Sequence, residues 1–158
     1  MADMKQYMHI LAPISGETME LDKVPDPVFA ARLTGDGMAI AASGDTVLAP
    51  CDGRISLFFE TKHAFAITTD AGIQVLVHVG LDTVIMDGRG ITALHQNGDY
   101  VKAGEPILKL DMPLLRKSDI NMICPVLIVN YEQVKDLLPQ VSGQEVLAGS
   151  DTVLDYAV

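Results

Sequence analysis

The sequence predicts an all-β protein, an antiparallel β-sandwich or barrel-sandwich hybrid with a few short helices. Two observations carry this. Short runs rich in β-branched residues recur along the chain, and most of the 13 glycines and 8 prolines fall in the breaks between them. Helical periodicity is scarce.

Taken in order, residues 8–17 (MHILAPISGE) read as a strand closing on Ser15-Gly16. Residues 38–60 read as three strands separated by turns at Ser43-Gly44-Asp45 and Cys51-Asp52-Gly53. Residues 63–80 (HAFAITTDAGIQVLVHVG) read as a hairpin around Asp70-Ala71-Gly72. Strand-like runs follow at 82–94 (DTVIMDGRGITAL), 97–111 (NGDYVKAGEPILKLD) and 124–130 (CPVLIVN). One helical turn is expected in PDPVFAARLTG, where Pro27 suits an early helical position and Gly35 a stop. Short helices are expected at 112–119 (MPLLRKSD) and 131–138 (YEQVKDLL). No linker or charge block divides the chain. The expectation is a single domain over 10–158 behind a short lead over 1–9.

The chain has 158 residues, 49% hydrophobic and 20% charged, which suits one domain with a sizeable core. A net charge of −10 argues against nucleic acid and anionic lipid as partners. A basic or apolar protein partner fits better. The absence of Trp also weakens a base-stacking role. Cys51 and Cys124 lack zinc-ligand spacing and read as reduced, core-type thiols. No secretory pattern and no apolar run of about 18 residues is visible, so a cytoplasmic location is expected. The segments SGDTVLAPCDGRI and NGDYVKAGEPILKL echo each other and resemble the turns of lipoyl and biotinyl carrier domains. The modified-lysine hairpin of those carriers is missing.

The histidines carry the chemistry. Alternation places Leu76, His78 and Gly80 on one strand face and Val75, Val77 and Val79 on the other. It groups Thr61, His63 and Phe65 on the preceding strand, and counting back from the turn sets His63 roughly opposite His78. Two facing imidazoles could bind a metal, move a proton or carry a group on nitrogen. Zinc wants three or four ligands, and only Asp82, beyond the strand end, is near in sequence. No Ser or Cys elbow awaits a general base. A histidine nucleophile remains, with Gly80 supplying close approach and a carbonyl acceptor for the ring N–H. The competing reading is a pair of satisfied structural histidines. His9 and His95 take that reading outright.

The run Gly72-x-x-Val-Leu-Val-His-Val-Gly-Leu-x-Thr-Val84, with Lys62-His63-Ala64-Phe65 before it, resembles the signature of the glucose-type IIA component of the bacterial phosphoenolpyruvate:sugar phosphotransferase system. Ala12-Pro13-x-Ser15-Gly16, Val24-Pro25-Asp26, Gly35-Asp36-Gly37-Met38-Ala39-Ile40 and Ala49-Pro50-x-Asp52-Gly53 extend the likeness. The resemblance implies a phosphocarrier. It accepts a phosphoryl group from the carrier protein HPr on His78 and passes it to a cysteine of a IIB domain for sugar uptake. His63 would stabilise the phosphoryl group, Thr61 would orient His63, and Gly80 would hold His78. An apolar partner surface is implied at Val28, Phe29, Leu33, Phe59, Phe65, Leu76 and Val84, edged by Asp26 and Asp82. The resemblance requires no cofactor. In some relatives the two histidines share zinc with a partner-supplied ligand, so His63 and His78 are the metal candidates. Regulatory targets bound in the unphosphorylated state are also implied. Pro27, Thr34 and Ile91 depart from the family's usual residues. The alternative is a regulatory protein-binding module that keeps the fold without transfer.

Overall fold

A computed structural model of the chain describes residues 6–158; most of the expected lead, residues 1–5, lies outside the described residues. The strands are β1 (Tyr7–Leu11), β2 (Gly16–Glu20), β3 (Asp36–Ala42), β4 (Thr46–Leu48), β5 (Gly53–Phe58), β6 (Ala64–Thr68) and β7 (Gln74–His78). They continue with β8 (Ile91–Ala93), β9 (Tyr100–Val101), β10 (Pro106–Leu110), β11 (Ile123–Ile128), β12 (Lys135–Pro139), β13 (Glu145–Val146) and β14 (Thr152–Ala157). Two short helices, α1 (Pro27–Ala30) and α2 (Met112–Lys117), interrupt them.

The strand pairings among the described residues are antiparallel, as expected from the sequence. An eight-stranded sheet runs β13-β2-β3-β11-β7-β6-β5-β9, and two three-stranded sheets run β1-β14-β12 and β4-β10-β8. Alternation along the large sheet separates two apolar clusters. Phe65, Ile67, Val75, Val77, Val79, Val126 and Ile128 point into the main core. Ala64, Ala66, Leu76 and Leu127 point the other way, under Leu21, Val24 and Phe29.

Local sequence explains the helices. The Asp26 side chain accepts the Val28 N–H at 2.9 Å and caps α1, with Pro27 at its first position. The helix stops at Ala30, before Gly35, and Arg32 turns left-handed (φ 59°). Asp111 caps α2 by accepting from Leu114 N at 3.1 Å.

Several expectations change. Thr83–Met86 within DTVIM is a 3-10 helical turn, not a strand. In YEQVKDLL only Tyr131–Gln133 is helical; Lys135–Pro139 is β12, paired with β14. The expected lead is already strand from Tyr7, because β1 pairs with β14. β2, β13 and β14 were not expected. β14 lies between β12 and β1, and its β1 partner is more than a hundred residues away, as the His9–Asp155 contact shows.

Candidate functional site

The β6–β7 hairpin turns through three residues, Asp70–Gly72, with Thr69 N–H donating to the Ile73 carbonyl at 2.9 Å and Gly72 left-handed at φ 86°. This odd count shifts the register by one from expectation. Ala64, not His63, lies opposite His78. Val79 N–H donates to the His63 carbonyl at 2.7 Å. Strict alternation would then send His63 into the core beside Phe65. The chain leaves the strand instead, since Lys62 is left-handed (φ 63°) and β6 begins only at Ala64. The two imidazoles meet despite the shifted register, with ring centroids 5.0 Å apart and planes 75° to each other.

The ring of His78 has a defined tautomer. Its Nδ1 lies 2.7 Å from the Gly80 carbonyl, which only accepts, so Nδ1 carries the proton and Nε2 keeps a free lone pair. The Thr61 hydroxyl and His63 Nδ1 are hydrogen-bonded at 2.6 Å. Burial lowers the pKa of His78, and the Gly80 carbonyl with the charges of Asp26 and Asp82 offsets part of that. Burial and the neighbouring His78 lower the pKa of His63. Both rings are therefore neutral near pH 7. The edge of Phe29 packs on His78 at 4.9 Å and Phe59 packs on His63 at 5.0 Å. The arrangement puts a neutral imidazole with a free Nε2 lone pair at the end of β7, with a second imidazole beside it.

The family model of the phosphoenolpyruvate-dependent sugar phosphotransferase system, EIIA 1, matches residues 8–134. The chain belongs to this EIIA family. It is 42% identical over 130 residues to the PTS system glucose-specific EIIA component of Borreliella burgdorferi, covering 82% of this chain and 69% of that protein. With the glucose-specific EIIA component of Oceanobacillus iheyensis it shares 37% over 145 residues, 92% of this chain and 87% of the relative. The solved glucose permease IIA of Mycoplasma capricolum superposes with a TM-score of 0.84 at 32% identity, covering 95% of this chain and 96% of that one. As an EIIA member the chain is a phosphocarrier component of a sugar phosphotransferase system. Among the described residues, no helix is long and apolar enough to cross a membrane.

The partner surface expected for this EIIA chain divides in two. Val28, Leu33, Phe59 and Val84 are exposed, Leu33 at 74%. Phe65 is not on this surface: it is 0% exposed in the main core, on the face of β6 opposite that of Ala64 and His78. Leu76 and Phe29 are also buried, in the second cluster, where Phe29 backs His78 rather than meeting solvent. Asp82 is exposed and left-handed (φ 57°), while Asp26 is occupied in capping α1. Sequence reasoning missed Ile85, 66% exposed beside Val84. Its signal was the DTVIM run, too apolar on both faces for a one-sided strand.

Among the described residues no three His, Cys, Asp or Glu side chains converge on a metal position. Cys51 and Cys124 are free and buried, and burial pushes both thiols up to about 12. His9 contacts Asp155, and His95 lies between Asp99 at 3.0 Å and Glu105 at 3.2 Å, as structural residues do.

Proposed function

We propose that His78 is the phosphorylated residue, taking the group from phospho-HPr and giving it to a cysteine of a IIB domain during sugar uptake. The observation that carries this is the Nδ1–H bond to the Gly80 carbonyl, which leaves Nε2 as the nucleophile. The Nε2 lone pair forms the new N–P bond as the donor's N–P bond breaks, and its electron pair returns to the donor ring. No proton leaves His78, because Nδ1–H stays on Gly80. Such transfer is mostly positioning and charge stabilisation, which two rigid strands supply.

His63 is the stabilising partner. With the Thr61 hydroxyl donating to its Nδ1, His63 presents Nε2–H to the phosphoryl oxygens. The exposed side chains Val28, Leu33, Phe59, Val84 and Ile85 supply an apolar docking rim. Phosphorylation adds about −1.5 to −2 charges, by analogy with other phosphorylated side chains, so regulatory targets bound by the unphosphorylated face are released. In its other tautomer, with Nδ1–H donating to the Thr61 hydroxyl, His63 could share a zinc ion with His78, provided a partner supplies the remaining ligands. A cytoplasmic location suits HPr as donor. A segment matching this chain also forms 23% of the N-acetylglucosamine-specific EIICBA component of Klebsiella pneumoniae, in keeping with a IIB acceptor.

The test is incubation with phosphoenolpyruvate, enzyme I and HPr, followed by intact mass and peptide mapping. A phosphoryl group on His78 is expected, lost in His78→Ala. His63→Gln should still accept but fail in transfer to IIB. A protein left unmodified by competent donors would sink the proposal in favour of a binding module.

A further inference from the structure

The Gly80 carbonyl that fixes the His78 tautomer belongs to a glycine, and glycine peptides rotate easily. β7 also leaves its neighbour here. Its ladder with β11 ends at Val77–Val126, so Val79 and Gly80 have no strand partner on that side. Gly80 is buried, and an unpaired buried N–H is costly. Two buried side chains take over from the missing ladder. The Gly80 N–H donates to Cys124 Sγ at 3.3 Å, and the Thr83 hydroxyl donates to the Val79 carbonyl at 2.5 Å. Both polar ends of the Val79–Gly80 peptide are thus held. The next peptide is held by the His78 ring on its carbonyl and by Leu81 N–H donating to Asn121 O at 2.8 Å. Cys124 Sγ lies 3.5 Å from the Met122 carbonyl, so a protonated thiol accepts from Gly80 while donating there. Thr83 is 0% and Cys124 1% exposed, so neither meets a partner protein.

We infer that Cys124 and Thr83 are positioning residues for phosphoryl transfer: they clamp the Val79–Gly80 peptide so that the Gly80 carbonyl keeps the His78 proton on Nδ1. Gly80 itself is left-handed (φ 72°), and a Cβ there would lie 2.5 Å from Thr83 Oγ1 and 2.9 Å from the Asn121 carbonyl oxygen. The clamp therefore closes around a residue with no side chain.

The inference rests on His78 as the acceptor, so its test separates the two. Imidazole ¹⁵N shifts of the full chain report the tautomer without any phosphoryl donor. In wild type, Nδ1 should appear protonated and Nε2 unprotonated. In Thr83→Val and Cys124→Ala the two nitrogen shifts should converge, and acceptance from phospho-HPr should slow by about 10-fold. Thr83→Ser and Cys124→Ser should restore both readouts, which a general loss of packing would not predict. The two substitutions release opposite ends of the same peptide, so if one variant fails to fold the other decides. Unchanged His78 shifts in the folded apolar variants would overturn the clamp. A wild type with the Nδ1-protonated signature that takes no phosphoryl group would leave the clamp standing and overturn the transfer reading.

Discussion

At the scale of single residues, the two histidines make the site sensitive to pH. Burial pulls both below the ordinary imidazole pKa of 6.5. In the proposed transfer only a neutral His78 can attack phosphorus, so acceptance should hold to pH values below 6.5 and then fall as Nε2 protonates. A rate profile with its acid limb at or above the ordinary imidazole pKa would contradict this. The same shift affects stability. Below 6.5 the unfolded chain binds protons that the folded histidines refuse, so unfolding is favoured as pH falls toward the folded pKa values. Above 6.5 both states are neutral and the contribution is fully present. Urea unfolding should show stability lost on acidification through this window, with a flatter dependence in His78→Gln. An equal slope in both proteins would count against it. The residue types were legible in the sequence, and so was the face of His78. The place of Cys124 beneath Gly80 was not, since 44 positions separate them and only the course of β11 brings them together.

At the scale of elements, the site depends on β11, which carries Cys124 and pairs with β3 on one side and β7 on the other. Gly37 in β3 lies opposite Leu127, so close that an added Cβ would overlap the Val126 carbonyl oxygen. A backbone oxygen in a paired strand cannot swing aside. Gly37→Ala should therefore destabilise the protein by about 2 kcal/mol, read as a lower urea midpoint. A midpoint within error of wild type would show that the ladder yields to the added methyl group. Strands with local turn signals, such as β3 to β7, could be read directly. The β6–β7 register could not, because a two-residue and a three-residue turn share the Asp-Ala-Gly signal and differ by one in pairing.

At the scale of the whole molecule, the chain carries a net charge of −10 while several large apolar side chains are open to solvent. Leu33 and Val84 are exposed at 74% and 52%, so charging them costs the fold little. Leu33→Asp and Val84→Asp should slow acceptance from phospho-HPr by about 10-fold, the effect of one moderate interface contact, with an unchanged urea midpoint. Normal transfer by both variants would move the docking face elsewhere. Phe65→Asp, by contrast, places a carboxylate in the main core and should unfold the protein. In the sequence Phe59 and Phe65 looked alike as rim residues. Phe59 follows the end of β5 and is exposed, whereas Phe65 lies within β6 on its core face, and burial on a face is a property of the assembled sheets.

The sequence by itself determined the all-β class, the hairpin that holds His78 and the helical turn that opens at Pro27. Each of these rests on neighbours within a few positions, where alternation, turn residues and side-chain chemistry act directly. The tertiary structure alone decided that β14 completes a sheet with β1, that His63 turns out of the core to meet His78, and that Cys124 and Thr83 hold the Gly80 peptide. The first and the Cys124 contact join segments far apart in the chain. The other two, short in sequence, depend on where strands end. Both kinds are settled by which apolar faces bury one another and which backbone groups then need a partner, and no local pattern records either.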